Sequence, residues 1–333
     1  MVALEGALAA GTPLAVAAGA LTIVATRRVL GYLTDRQILD RPNDRSSHTL
    51  PTPRGGGLAT TPVMAALLIL GCWGTPMALL GIGALVLLAV SWVDDRKGLP
   101  ALPRFLAHAG TIAALLAMLP PESLVFGDAL PFWLDRVLAG LGWLWFVNLY
   151  NFMDGIDGIT GTETISLGLG IAVIGGSAAV SLAPPALVVA AVGAGFLAFN
   201  WHPAKLFLGD SGSVPFGYVL GGLLLLLAIE GQLAAALILP AYYLADATIT
   251  LGRRALNRER IWQAHRKHFY QRAVQGGKRH DQVVLAIAGG NGVLIGCAVL
   301  TSQGYLWPGI VGAVAVTGGL LALLQFWAKG KPA

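Results

Sequence analysis

FNWHPAKLFLGDSGS, residues 199–213, is a polar, glycine-punctuated stretch set between two apolar runs. It holds an amide, a histidine, a lysine, a carboxylate and two hydroxyls, in a chain of which only 12% of residues are charged. The flanking runs, 185–200 and 214–229, approach the length at which an α-helix crosses the hydrocarbon of a bilayer. A segment this dense in polar chemistry between two such runs reads as a functional loop at a membrane surface. A loop that merely joins two helices is the plainer alternative.

The same alternation runs the length of the chain. Further apolar runs occupy about 7–26, 57–73, 76–93, 105–120, 131–149, 162–181, 232–251, 283–301 and 307–327. Hydrophobic residues make up 56% of the 333 positions, and the mean hydropathy is +0.70, well above a water-soluble globular chain. The expected fold is an all-α polytopic membrane protein of about ten or eleven transmembrane helices, forming one domain over 1–333. The first run lacks a basic leading segment and is followed by Arg27 and Arg28 rather than a small-residue cleavage site, so it reads as a retained span. Cys72 and Cys297 are too few and too far apart for a metal or disulfide framework and read as small apolar fillers.

Orientation follows from the basic residues. With the N-terminus outside and the C-terminus cytoplasmic, every Lys and Arg except Arg136 falls on the inner side, while Glu5, Glu122, Asp128, Asp135 and Glu230 lie outside. The polar loops 27–57, 94–104, 150–161, 200–213 and 252–282 then all open to the cytoplasm. The net charge of +5 reflects this asymmetry and does not point to nucleic acid. A positive inner face suits anionic lipid head groups and anionic substrates.

Each inner loop carries chemistry. In DRPNDRSSHTLPTPRGGG, residues 40–57, three prolines exclude a continuous helix, and the glycine triplet offers backbone amides to a phosphate, with Arg45, His48 and Arg54 adding charge. A helix-entry loop is the alternative. Asp94 and Asp95, in SWVDDRKGLPALPR, diverge by about 100° if helical, so only one can face a given atom. Their bland reading is an interfacial stop signal paired with Lys97 and Arg104. In VNLYNFMDGIDGITG, Asn148 and Asn151 share one helical spacing and Asp154 and Asp157 another, while the glycines favour a backbone folded closely round a ligand.

Asp210, within GDSGS, is a hard oxygen donor with room beside it for Mg²⁺ and a diphosphate, and Lys205 is a point charge for phosphate. Asp246 lies inside a run with Arg253 seven residues on, which is either a functional intramembrane carboxylate or a structural pair. In 252–282, His265, Arg266, Lys267 and His268 suit a phosphate better than zinc, because no Glu or Cys stands at a ligating spacing. A basic interfacial helix that only touches lipid is the alternative there.

Five of these blocks together resemble the polyprenyl-phosphate N-acetylhexosamine-1-phosphate transferase family: RPNDRSSHTLPTPRGGG at 41–57, DDRKGLPALPR at 94–104, NLYNFMDGIDGITG at 148–161, FNWHPAKLFLGDSGS at 199–213 and HRKHFYQR at 265–272. The resemblance extends over nearly the whole chain. It implies a multi-pass enzyme of the bacterial inner membrane with its active site facing the cytoplasm, and two partners, undecaprenyl phosphate and a UDP-N-acetylhexosamine. Sugar-1-phosphate is transferred and UMP leaves. By motif position Asp210 resembles the family's Mg²⁺ ligand, Asp94 and Asp95 its acidic pair near the lipid phosphate, and Asn151, Asp154 and Asp157 its nucleotide and catalytic loop. His265 and His268 resemble its diphosphate-contacting histidines; their HxxH spacing departs from the consecutive histidines of the muramyl-pentapeptide branch and favours O-antigen or another surface polysaccharide.

The catalytic candidates are thus Asp94, Asp95, Asp154, Asp157, His265 and His268. The substrate-binding candidates are Arg54, Asn148, Asn151, Lys205 and Arg266, and the metal candidate is Asp210, for Mg²⁺ with Mn²⁺ as substitute. A phosphate monoester is already largely dianionic at neutral pH, its second pKa being about 6, so the nucleophile needs positioning more than activation. Direct in-line attack with Asp94 or Asp95 orienting or deprotonating the lipid phosphate is expected over a phospho-aspartate route. A transporter or flippase, or a non-catalytic scaffold, are the rival classes. Small residues on every span leave a homodimer open.

Overall fold

The computed structural model describes residues 2–42, 50–176, 182–260, 263 and 265–330. Arg45 and His48 lie outside the described residues, as does the end of the run expected over 162–181. The helices are α1 Val2–Asp35, α2 Gly57–Gly71, α3 Pro76–Lys97, α4 Ala101–Met118, α5 Phe132–Phe152, α6 Ile159–Gly175, α7 Ala183–Asn200, α8 Asp210–Leu227, α9 Leu233–Ile238, α10 Ala241–Leu256, α11 Phe269–Gln275, α12 His280–Ser302 and α13 Leu306–Trp327. A two-residue antiparallel ladder pairs β1 Leu39–Asp40 with β2 Thr52–Pro53.

Among the described residues, seven helices are long and apolar enough to cross a membrane, and Gly57–Gly71 and Ile159–Gly175 are apolar but shorter. Large apolar side chains such as Leu70, Trp133, Val311 and Phe326 stand on the outer surface, a surface suited to lipid. The protein is an all-α, multi-pass membrane protein. Several boundaries differ from the hydropathy pattern. α1 continues through Arg27 and Arg28 to Asp35, because nothing after residue 26 breaks a helix until the β1 turn. The run over 232–251 is divided at Leu239 and Pro240 into α9 and α10, where proline removes a helical hydrogen bond.

α8 is the axis of the molecule. Every residue from Ser211 to Leu227 is buried, in contact with α3, α5 and α2. Its small residues permit this: Trp143 on α5 stacks on Tyr218 at 4.9 Å and donates its indole N–H to the Tyr218 carbonyl at 2.9 Å. The tightest approach is at its N-terminus. A Cβ on Gly57, the first residue of α2, would collide with the Ser211 and Gly212 backbone. Gly57→Ala is therefore expected to lower stability by about 1–3 kcal/mol, read as a drop in melting temperature; a variant that melts and turns over as wild type contradicts this packing.

The glycine triplet is the helix-entry loop of the two readings, leading into α2 at Gly57. The amides of Gly55 and Gly56 donate to the Phe207 carbonyl at 3.1 and 2.9 Å, and that of Gly57 to Leu208 at 3.0 Å. Phe207 N–H returns a bond to the Pro53 carbonyl at 2.8 Å. These amides are occupied by carbonyls and do not cradle a phosphate. They stitch the 50–57 segment to the 201–209 loop, which carries Arg54 to Asp210.

Candidate active site

Asp94, Asp95, Asp154 and Asp210 meet Arg54 and Arg104, from five separate segments, at the N-terminus of α8, with Asp40 at the edge. Arg54 Nη2 lies 2.8 Å from Asp210 Oδ1 and 3.1 Å from Asp95 Oδ1, and its Nη1 is 3.8 Å from Asp40 Oδ2. Burial opposes its charge, but Asp210, Asp95, Asp40 and Asp154 together hold the Arg54 guanidinium protonated beyond its usual range. Arg104 Nη1 donates to Asp94 Oδ2 at 2.8 Å and lies 3.8 Å from Asp210 Oδ2.

Asp94 and Asp95 diverge as their helical spacing requires. Asp94 turns to Arg104 and accepts the Leu99 N–H at 2.5 Å. Asp95 accepts the N–H groups of Asp210 and Ser211 at 3.1 and 2.9 Å, an acidic cap on the positive end of α8. Gly209, at φ +75°, makes room for it: a Cβ there would lie 2.9 Å from Asp95 Oδ2.

α5 ends at Phe152, so Asn151 is helical while Asp154 and Asp157 lie beyond the end and separate. Asn151 accepts the Ser213 hydroxyl at 2.5 Å and reaches Asp210 Oδ2 at 3.5 Å. Asp154 accepts the Thr160 hydroxyl at 2.5 Å. Loss of hydration raises its carboxyl to about 6; Asp210 and Asp95 push the same way, against the Thr160 bond and Arg54. Asn148 instead donates to the Leu144 carbonyl of its own helix at 2.7 Å, and Lys205 is exposed, its backbone N–H on the Phe199 carbonyl.

Asp157 belongs to a second cluster that sequence reasoning missed. Its Oδ2 lies 2.6 Å from His202 Nδ1, 3.2 Å from His280 Nδ1 and 3.2 Å from the Ala204 N–H. Burial would raise this carboxyl, but the bond and charge of His280, with His202 and Ala204, hold it below the ordinary range. The His202 and His280 rings are 4.9 Å apart. Only the fold brings these three loops together; no spacing in the sequence announces it.

The histidine block is anchored from within the bundle. Asp246 accepts from the backbone N–H groups of Phe269 and Tyr270 at 3.1 and 3.4 Å and from the Tyr242 and Thr250 hydroxyls at 3.0 and 3.2 Å, and its Oδ1 lies 3.0 Å from His268 Nδ1. It makes no pair with Arg253, whose guanidinium lies over Phe269 instead. Buried His268 is left with its Nε2 unpartnered. His265 precedes α11 rather than sharing a turn with His268, yet the two rings stack at 4.8 Å. Desolvation, then the charges of His268, Arg254 and Lys267, lower the His265 pKa to about 4, so at neutral pH it brings no charge. Tyr270 donates to the Phe152 carbonyl at 3.3 Å, and a Cβ on Gly155 would strike Tyr270 and Gln271; the block thus abuts the Asp154 loop. Arg266 lines a separate basic cavity.

Two sets of donors bear on a metal. Asp94, Asp95, Asp154 and Asp210 outnumber Arg54 and Arg104, and this excess of hard oxygen charge suits Mg²⁺. Asp157, His202 and His280 bring one ligand atom each within 4.8 Å of the others. Ligands of a tetrahedral ion lie about 3.3 Å apart for bonds near 2.0–2.1 Å; the 2.6 Å contact of His202 with Asp157 is a hydrogen bond that clamps the loops.

Residues 77–228 match the family model of Glycosyl transferase family 4. A Bacillus subtilis protein, "Probable undecaprenyl-phosphate N-acetylglucosaminyl 1-phosphate transferase", is 32% identical over 75% of this chain and 73% of its own. The chain belongs to the polyprenyl-phosphate N-acetylhexosamine-1-phosphate transferase family. The transferase is also 28% identical, over 81% of its length and 72% of the other's, to the "Decaprenyl-phosphate N-acetylglucosaminephosphotransferase" of Mycolicibacterium smegmatis. Similarity to the "Phospho-N-acetylmuramoyl-pentapeptide-transferase" of Gloeothece citriformis, at 30%, spans 53% of each chain. Membership sets aside the transporter and scaffold classes in favour of a sugar-phosphate transferase.

Proposed function

We propose that the transferase moves N-acetylhexosamine-1-phosphate from a UDP-sugar to undecaprenyl phosphate at the cytoplasmic face of a bacterial inner membrane, beginning a surface polysaccharide such as O-antigen. The observation that carries this reading is the meeting of Asp94, Asp95, Asp154 and Asp210 with Arg54 and Arg104 at one helix end. Two anionic phosphates brought together need compensating charge held in place before reaction. The relatives' names supply the polyprenyl phosphate, and the positive-inside pattern supports the cytoplasmic side.

An oxygen of the lipid phosphate attacks the sugar-bearing phosphorus of the UDP-sugar. The bond from that phosphorus to the bridging oxygen breaks, and UMP departs with the electron pair. A divalent ion held by Asp210, with Asp154 and Asn151 beside it, supplies Lewis-acid neutralisation of the diphosphate when bound. Arg54 and Arg104 hold the carboxylates apart and in register. Asp95 keeps α8 capped, and Asp94 is held by Arg104 and Leu99, so we assign the phosphate's proton, expected on Asp94 or Asp95, to Asp154, whose carboxyl burial raises to about 6, close to the second pKa of a phosphate monoester. His268 presents Nε2 as a hydrogen-bond partner for a phosphate oxygen. His268→Ala is expected to cost at least about tenfold in turnover; unchanged turnover would leave the block a lipid-contacting segment only.

The test is product formation. Purified protein given a panel of UDP-N-acetylhexosamines, polyprenyl phosphate and Mg²⁺ is expected to release UMP in step with lipid-linked sugar. Absence of UMP with every sugar overturns the reading, and a radiolabelled phospho-enzyme would replace direct attack by a two-step route.

A further inference from the structure

Behind the histidine block lies a cavity of about 330 Å³ whose lining includes Arg253, Arg254, Arg266, Lys267 and Arg272 against one carboxylate, Glu259. Glu259 bridges Arg254 Nε at 3.0 Å and Lys267 Nζ at 2.6 Å, so one anionic group already stands among the cations. Two others are oriented by neutral groups: Arg253 lies 5.1 Å over the Phe269 ring, and Arg272 Nη1 donates to the Gln325 amide at 3.0 Å. A cavity so lined keeps an excess of positive charge that a phosphate oxyanion would neutralise.

The cavity is separate from the reacting centre. Tyr270 turns from α11 toward Phe152, and Arg272, two residues on, points about 200° round the same helix. Ile249 and Leu256, seven residues apart on α10, are 37% and 86% exposed, so an exposed apolar edge of α10 ends beside Arg253. Cations next to such an edge suit the phosphate of a lipid head group as well as free phosphate.

We propose that this cavity binds a phosphate-bearing anion, tying α10 to the segment that carries His265 and His268. The proposal is independent of the transfer reading. Its two sources, the head group of an anionic phospholipid and free phosphate, share this chemistry and are separable by experiment.

The full-length protein in neutral phosphatidylcholine nanodiscs is titrated with phosphatidylglycerol and retained lipid is read by native mass spectrometry. In parallel, lipid-free micelles receive millimolar inorganic phosphate and melting is followed. A head-group site gives selective retention of phosphatidylglycerol that falls roughly tenfold in Arg253→Gln/Arg272→Gln; a free-phosphate site gives a rise in melting temperature lost in the same variant. Glu259→Gln, which removes the resident carboxylate, is expected to strengthen either response and decides the matter if the double variant does not fold. Neither preference nor phosphate-dependent melting in wild type, or no gain in Glu259→Gln, overturns the proposal.

Discussion

Asp210→Asn protein is expected to insert and fold as wild type yet transfer sugar phosphate at least about 10³-fold more slowly, with no response to added Mg²⁺. The fold survives because the 50–57 and 201–209 segments are held by backbone bonds of Gly55, Gly56, Gly57 and Phe207, and Arg54 retains Asp95 at 3.1 Å. The activity does not, because the substitution removes the charge that balances Arg54 and Arg104 and offers a cation one neutral oxygen in place of a carboxylate. Size-exclusion behaviour and melting report the first half of this expectation, and UMP release against Mg²⁺ concentration the second. Retained turnover with a normal metal response would remove Asp210 from the metal site.

Asp154→Asn is expected to separate catalysis from stability. Because burial, with Asp210 and Asp95, raises the Asp154 carboxyl from about 4 to about 6, ionising it works against the fold. The stability it contributes is full below about pH 4 and is lost as pH rises through about 6. At pH 8 without metal, Asp154→Asn should thus be more stable than wild type by about 3 kcal/mol, an order-of-magnitude conversion of that shift. The same ionisation is required for proton acceptance, so wild-type turnover should rise with pH through an acid limb near or below 6, since a bound cation favours the carboxylate. The variant should turn over about 10²–10³-fold more slowly without that limb. A variant no more stable at pH 8, with the wild-type pH profile, contradicts both halves.

The polytopic helical fold was legible because hydropathy reports it directly, and the family because five polar blocks stand in order. Helix ends were less so: α1 runs to Asp35 since charged residues near the head groups do not break a helix, and the kink at Pro240 falls within one uniform apolar run. The divergence of Asp94 and Asp95 followed from helical geometry alone. Roles that depend on tertiary partners could not be read. The glycine triplet read as either a phosphate cradle or a helix-entry loop, and only its tertiary partners Phe207 and Leu208, which take its amides, decide for the loop. Asp246 read as either a functional intramembrane carboxylate or a partner of Arg253, and it is the anchor of the histidine block. His202 and His280, far apart in the chain, meet on Asp157 only when three loops fold together.

Mn²⁺ in place of Mg²⁺ makes the metal visible by anomalous scattering from crystals of the protein with a UDP-sugar. Density is predicted within about 2.0–2.3 Å of an Asp210 carboxylate oxygen, with Asp154 or Asn151 close by and the diphosphate on its open side. Mn²⁺ found on Asp157, His202 and His280, with the Asp210 cluster still closed on Arg54, would contradict it.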